Sequence, residues 1–304
     1  MQQFLQQLVN GVVLGATYGL IALGYTMVYG IIQLINFAHG EIFMVGAFAG
    51  LAMYSYVLPE SMQGNPFIVL PLVVLAAVVV SVTVALIVER FGYRPLRRAP
   101  RLAPLITAIG VSIFLQELVR LFYPGARSQV SFPRIIEGPN LELGGVTIAR
   151  TSLFLLIVAL GLMVALQTFI RTSRTGKAMR ATSQDPDTAR LMGINTDRII
   201  VLTFALGAAL AAVAGVMQGM RFVSIDFRIG FLGGVKAFTA AVLGGIGNIT
   251  GAMLGGFVLG IVEAMTTQYL LGSAYKDVAA FVVLIAVLVF RPQGLLGERV
   301  AVRA

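Results

Sequence analysis

Long apolar runs constrain the fold of this chain more than any other feature. They cover residues 8–32, 41–58, 67–88, 104–122, 152–170, 199–220, 231–246, 249–271 and 278–290. Several approach the roughly 20 residues that an α-helix needs to cross a hydrocarbon core. Because the runs do not alternate apolar with polar residues, they predict helices and not the strands of a membrane barrel. The predicted fold is therefore an all-α, polytopic transmembrane helical bundle of about eight or nine spans with broken helices.

The positive charge of the chain indicates how the spans are oriented. The formal net charge is +9, and most cations fall in three clusters at 90–101, 171–198 and 291–303. Lys and Arg accumulate in the cytoplasmic loops of membrane proteins, so we assign all three clusters, and with them the C-terminus, to the cytoplasm. The basic charge is then a signal of topology and not of nucleic-acid binding.

Successive spans cross the membrane in alternating directions along the whole chain, so residues 1–304 are predicted to form one transmembrane domain. The largest loop on the other side, residues 123–150, is polar and rich in Pro and Gly, which predicts a periplasmic loop. Because the chain is on the outer side at residue 221 and in the cytoplasm at residue 291, it must cross the membrane an odd number of times between them. Either the runs 231–246, 249–271 and 278–290 each cross, or the first two form a broken pair.

Glycines at four-residue spacing form stripes on predicted helices. Such stripes let helix backbones approach closely in lipid. One comprises Gly11, Gly15 and Gly19, and further glycines at this spacing are Gly247, Gly251, Gly255, Gly256 and Gly260. The dense glycines of 242–256 also predict an interrupted helix, which a membrane tolerates only where the backbone faces protein or a water-filled cavity.

Polar side chains inside apolar runs are candidates for a translocation pathway, because ionisable groups are costly at membrane depth. The candidates are Asn36, His39, Glu41, Lys236 and Asn248. For the first three, the alternative is a helix break near the cytoplasmic interface, where they cap helix ends and contact solvent. Lys236 either pairs with an acid such as Glu263 across the bundle or extends to the membrane boundary.

The sequence lacks the motifs of an enzyme. It contains no cysteine and one histidine, so it offers neither a thiolate nor a His-based metal site. Gly176-Lys177 is followed by Ala178 without the upstream glycine of a P-loop, and no GxSxG motif is present. We therefore predict a chain that is not an enzyme and that holds no cofactor of its own.

The polar segment 171–198 predicts a short helix between two spans. Asp185 is a candidate N-cap, Pro186 suits the first helical position, and Gly193 is the expected stop. Such a helix would seat in a groove of a partner, through Ala189, Leu191 and Met192, with Arg180, Asp187 and Arg190 fixing its register. The alternative is a solvated cytoplasmic loop that obeys the charge rule.

Three long blocks resemble one known family. They are GYTMVYGIIQLINFAHGEIFMVGA (24–47), RTGKAMRATSQDPDTARLMGINTDRII (174–200) and KAFTAAVLGGIGNITGAMLGGFVLGIVEA (236–264), with YKDV (275–278) and RPQGLLG (291–297) following in order. They resemble the permease subunit of the high-affinity branched-chain amino acid ABC importer, of the LivH type. The resemblance covers essentially the whole chain.

The resemblance implies a subunit of a multi-protein transport complex in the bacterial inner membrane. The chain would pair with a second permease of the LivM type, and two cytosolic ATPases carrying ATP and Mg would dock on residues 180–195. A periplasmic binding protein would deliver leucine, isoleucine or valine. Two alternatives stay open: the same kind of permease for urea or short amides, and, in another class, an ion-coupled secondary transporter.

Overall fold

A computed structural model of the chain describes residues 1–33, 36–97, 99–100, 102–272 and 275–297. Arg98, Arg101, Arg299 and Arg303 of the basic clusters lie outside the described residues. Within the described part the chain folds almost entirely into helices, as predicted.

Most of the helices follow the apolar runs closely. They are α1 (Gln2–Ile32), α2 (His39–Ala52), α3 (Glu60–Gln63), α4 (Pro66–Val88), α5 (Leu102–Phe122), α6 (Arg150–Thr172), α7 (Arg174–Gln184), α8 (Pro186–Leu191), α9 (Thr196–Phe222), α10 (Ile229–Gly244), α11 (Ile249–Thr266) and α12 (Lys276–Phe290). Turns of π-helix extend α2, α4 and α11 at their C-terminal ends, over Met53–Val57, Glu89–Tyr93 and Thr267–Leu271.

Seven of the described helical segments are long and apolar enough to cross a membrane. They contain α1, α2, α4, α5, α6, α9 and α11. Two further apolar helices, α10 with 16 residues and α12 with 15, pack against each other and against α11. At 1.5 Å per residue each is about 23 Å long, shorter than a hydrocarbon core of about 30 Å. The polytopic helical bundle is confirmed.

The glycine stripes of α1 and α11 form a close helix contact. The two helices run antiparallel, and a Cβ added to Gly15 would lie 2.6 Å from Cα of Phe257 and 2.7 Å from the carbonyl oxygen of Gly256. A Cβ at Gly11 would lie 2.7 Å from Cα of Ile261. The backbones therefore touch, because small residues face each other on both helices.

The opposite side of α11 packs on α10 in the same way. A Cβ at Gly255 would lie 2.0 Å from the carbonyl oxygen of Ala240, and one at Gly251 would lie 2.3 Å from that of Gly244. The helix interruption predicted at 242–256 is confirmed, since α10 ends at Gly244 and α11 begins at Ile249. Both Gly245 and Gly247 adopt positive φ in the turn between them.

The loop 123–150 is ordered against the bundle. Val130–Ser131 (β1) pairs antiparallel with Ser224–Ile225 (β4), and Leu141–Leu143 (β2) forms a hairpin with Val146–Ile148 (β3). The ring of Phe132 is fully buried against Gly219 of α9. The side chain of Gln6 exchanges two hydrogen bonds with the backbone of Thr147, at 2.8 and 2.9 Å. Both ends of this loop are thus fixed to α1 and α9.

Candidate functional site

A polar cavity opens on the side of the molecule that carries loop 123–150. Its volume is about 200 Å³. Its mouth is formed by Gln129 and Asp226, and Lys276 also lines it. Its inner wall is formed by Tyr18 and Lys236. The cavity therefore leads from the loop side into the core, where α1, α10, α11 and α12 meet.

Lys236 makes two ion pairs in this cavity. Its Nζ atom lies 2.7 Å from Oε1 of Glu263 on α11 and 2.6 Å from Oδ1 of Asp277 on α12. Tyr18 donates a hydrogen bond of 2.9 Å to Oε2 of Glu263, and its ring lies 5.7 Å from Nζ of Lys236. Pairing with Glu263 is one of the two arrangements predicted for Lys236. Asp277 and Tyr18 were not predicted, because residues on other helices share no local pattern with Lys236.

The two acids differ in their access to the cavity. The side chains of Lys236 and Glu263 are only 7% and 5% exposed, whereas that of Asp277 is 33% exposed. Burying a charge without a partner is costly, so Lys236 and Glu263 stabilise one another. Asp277 is the member of the cluster that solutes in the cavity can reach.

Asn36, His39 and Glu41 are all buried where the chain breaks between α1 and α2. The prediction that they contact solvent near the interface is wrong. The ring of His39 lies against Gly24 and packs on the ring of Tyr25, with centroids 4.8 Å apart. A position facing Gly24 of α1 and Gly207 of α9 is inside the bundle, because both glycines lie well within their helices.

The capping role predicted for these residues is also wrong. The N-cap of α2 is Ala38, and no side chain caps it. Asn36 instead accepts a hydrogen bond of 2.7 Å from the hydroxyl of Tyr93. Glu41 accepts hydrogen bonds from Ser112 at 3.0 Å and Gln116 at 2.7 Å, both near the middle of α5. These side chains hold α2 to α4 and α5, and their role in a pathway stays a prediction.

Asn248 lies away from the cavity, in the turn between α10 and α11. Its Oδ1 accepts the backbone N–H of Gly251 at 3.0 Å and so caps α11. Its Nδ2 donates to the carbonyl oxygen of Leu296 at 2.8 Å, which fixes the segment after α12 to the same turn. The structure thus gives Asn248 a capping role, and its pathway role stays a prediction.

The short helix predicted within 171–198 is present as α8. Asp185 is its N-cap, Pro186 its first residue, and Gly193 follows with a φ of +82°. The hydroxyl of Thr188 and the backbone N–H groups of Asp187 and Thr188 donate to the Asp185 carboxylate. These hydrogen bonds, that from the Thr188 hydroxyl foremost, hold the pKa of Asp185 below its ordinary value. A second helix, α7, precedes it and was not predicted.

The residues predicted for docking differ in exposure. Leu191 is 87% and Met192 79% exposed, at the end of a polar helix. Ala189 is instead buried within its own chain, so the prediction that it inserts into a partner is wrong. Arg190 donates to the Thr196 hydroxyl at 2.8 Å. The remaining residues predicted for this surface are exposed: Arg180, Asp185, Pro186, Asp187, Arg190 and Gly193.

The end of α8 is tied to the bundle through the first turn of α9. Asp197 forms ion pairs with Arg97 at 2.6 Å and with Arg94 at 3.2 Å. Arg97 also forms an ion pair with the buried Glu89 at the end of α4. Because α9 packs on α1, α2 and α4, these contacts connect α8 to the centre of the bundle.

Comparisons with known proteins agree with this architecture. The family described as branched-chain amino acid transport system / permease component matches residues 7–288. BraD of Pseudomonas aeruginosa, a high-affinity branched-chain amino acid transport system permease protein, is 47% identical over 299 residues, which are 97% of this chain and 96% of that protein. LivH of Escherichia coli K12, which has the same description, is also 47% identical, with the same coverage of both chains.

A solved structure shares the fold. PsaBC from Streptococcus pneumoniae, determined in complex with a Fab, aligns with a TM-score of 0.50 over 95% of this chain and 92% of that chain. The sequence identity is 14%, so the likeness concerns the fold alone.

Proposed function

The chain belongs to the permease components of branched-chain amino acid transport systems, and we propose that it forms part of the membrane path by which an ATP-driven importer carries leucine, isoleucine and valine. The observation that carries this proposal is the identity of 47% over 97% of the chain with two permeases of that description. The multi-pass helical bundle and the polar cavity suit a permease. We place the protein in the inner membrane with a cytoplasmic C-terminus.

The proposed complex has the partners that the resemblance implies. A second permease of the LivM type completes the path, two cytosolic ATPases supply the energy, and a periplasmic protein delivers the amino acid. ATP and Mg bind to the ATPases, and this chain acts as a transport component without catalysis of its own. Loop 123–150, which lies on the side where the cavity opens, faces the binding protein in this arrangement.

The docking surface for one ATPase is the exposed surface of α8, with Leu191 and Met192 as its apolar contacts. Two large apolar side chains at the end of a charged helix suit insertion into a groove. The capped start of α8 and its glycine stop keep the helix stiff. The ion pairs of Asp197 then connect it to α4 and α9, so that movement of the ATPase shifts the central helices.

The function is tested by purifying the tagged chain with its partners and measuring uptake of labelled leucine in proteoliposomes. We expect co-purification of a second permease and of P-loop ATPases, and uptake that requires ATP and the binding protein. Isoleucine and valine should compete, whereas urea and acetamide should not. Uptake that follows an imposed ion gradient without ATP would favour a secondary transporter. Competition by urea alone would favour the alternative cargo.

Replacing Gly193 with valine should weaken the coupling between this chain and the ATPases. A left-handed backbone costs residues with a Cβ roughly 1–2 kcal/mol, and a β-branched residue is least suited to it. That strain lowers the population of the native helix end roughly 5- to 30-fold. We expect a loss of ATP hydrolysis stimulated by the loaded binding protein, with the complex still assembled.

The matched control is Gly193→Asn, because asparagine tolerates the left-handed region. It should retain most of the stimulated hydrolysis. A steric clash of the new Cβ explains neither variant, since no atom lies within 4 Å of a Cβ built at Gly193. Normal stimulated turnover in the valine variant would contradict the assignment of α8 as the docking helix.

A further inference from the structure

We propose that the cavity at Lys236 is a transient binding site for a zwitterionic amino acid with an aliphatic side chain, in which the substrate exchanges ion partners with the Lys236–Asp277 pair. This proposal rests on the proposed function and adds a substrate site within the permease itself. It also assigns part of the cargo selectivity to this chain.

The charges of the cavity match an amino acid. Besides Asp226 and Lys276, the cavity is lined by the cation Lys236 and the partly exposed acid Asp277, whose charged atoms are 2.6 Å apart. A substrate carboxylate can take the place of Asp277 beside Lys236, while the substrate ammonium pairs with the released Asp277. Each charge then keeps a partner, so no buried charge is left uncompensated during the exchange.

Glu263 keeps Lys236 in position throughout this exchange. It contacts Lys236 at 2.7 Å and is held from its other oxygen by the Tyr18 hydroxyl at 2.9 Å. Both carboxylate oxygens of Glu263 are therefore occupied by protein groups. Asp277 contacts the same lysine from the open side and, in contrast to Glu263, is a third exposed. The geometry thus distinguishes Glu263, which positions Lys236, from Asp277, which the substrate can displace.

A further polar atom in the cavity lacks a protein partner. The side-chain oxygen of Gln218 is buried, and no hydrogen-bond donor contacts it among the described residues. A buried acceptor without a partner is costly, so a donor that satisfies it is favoured. The substrate ammonium supplies three N–H donors, of which one can serve Gln218 and another Asp277.

Part of the cavity wall is apolar. Phe222, Ile225, Ile229 and Leu232 line it on the side of α9 and α10. An aliphatic side chain gains free energy when it leaves water for such a wall. The volume of the cavity, about 200 Å³, is below the range of drug-sized pockets, about 300–1,000 Å³, and suits a single small solute. Urea carries no charge and no apolar part, so it satisfies neither feature.

Cysteine labelling tests this site directly, because the chain contains no cysteine of its own. Leu232→Cys is introduced into the complex, without the binding protein, and its rate of reaction with a maleimide is measured. Leucine should slow the reaction by roughly tenfold at ten times its Kd. Two analogues with a single charge, 4-methylpentanoate and 3-methylbutylamine, should protect much less. Ser61→Cys, an exposed position outside the cavity, should react at the same rate with and without leucine.

Asp277→Asn provides the second measurement. Loss of a charge-assisted hydrogen bond should weaken leucine protection of Leu232→Cys about tenfold or more and raise the KM for uptake more than it lowers kcat. Asp277→Glu should restore part of both, which a purely structural role would not predict. Unprotected labelling together with an unchanged KM would overturn the site.

These measurements separate the site from the proposed function. If the native complex imports leucine but leucine does not protect Leu232→Cys, the function stands and the site fails. If leucine protects but no import of leucine occurs, the site stands and the importer function fails. Equal protection by leucine and 4-methylpentanoate would show that the ammonium is not recognised and would also overturn the exchange.

Discussion

Replacing Gly15 with alanine should destabilise the bundle, although alanine is the better helix former. The new Cβ would lie 2.6 Å from Cα of Phe257 and 2.7 Å from the carbonyl oxygen of Gly256, so α1 and α11 must move apart. Overpacking costs typically about 1–3 kcal/mol and occasionally more, and contacts with backbone atoms leave no side chain that can rotate away. We expect the upper end of this range or beyond. Thermal stability of the solubilised complex, followed by size-exclusion chromatography, measures the effect.

Gly161→Ala on α6 is the matched control. No atom lies within 4 Å of a Cβ built at Gly161, and the residue is exposed in the middle of a helix. Alanine is favoured over glycine by about 1 kcal/mol in a helix interior. This variant should therefore be as stable as the native protein or more so. Similar melting of Gly15→Ala and Gly161→Ala would contradict the close contact of α1 with α11.

The second large effect is expected from Lys236→Met. Methionine approximates the length of the lysine stem but removes the charge that compensates Glu263 and Asp277. Leaving a buried charge without its partner costs about 3–5 kcal/mol. We expect a marked loss of assembled complex in membranes and abolished uptake of leucine. The amount of complex per cell and its melting temperature measure the structural part of this effect.

Two further variants separate charge compensation from other roles of Lys236. Lys276→Met removes an exposed cation of the same cavity and should change stability by no more than about 0.5 kcal/mol. Lys236→Met combined with Glu263→Gln removes both buried charges and should recover part of the lost stability, without recovery of transport. A double variant as unstable as the single one would show that the ion pair is not the source of the stability.

The class of the protein could be read from the sequence because its signals are local. Apolar runs of sufficient length predict spans whatever they pack against. The stripe of Gly11, Gly15 and Gly19 predicts a close helix contact from spacing alone. The start and stop of α8 were likewise predicted, since Asp185, Pro186 and Gly193 act on neighbouring backbone groups.

The errors concern residues whose environment comes from distant parts of the chain. His39 and Glu41 flank Gly40, and Asn36 lies shortly before them, which suggested a solvated break. The structure buries them, and Tyr93, Ser112 and Gln116 come from other helical segments to donate hydrogen bonds to Oδ1 of Asn36 and Oε1 of Glu41. Ala189 was expected at a partner and is covered by its own chain, since burial depends on which side of a short helix faces the bundle.

The sequence by itself determined that this chain spans a membrane as a helical bundle, which of its helices pack through glycine, and where the short helix α8 begins and ends. Each of these follows from length, spacing or a neighbouring backbone group. Only the tertiary structure decided which charges meet. Lys236 is 27 residues from Glu263, and Tyr18 is 245 residues from it. No sequence periodicity links positions on four separate helices. The ion pairs of Lys236 and the hydrogen bond of Tyr18 exist only because α1, α10, α11 and α12 converge on one cavity.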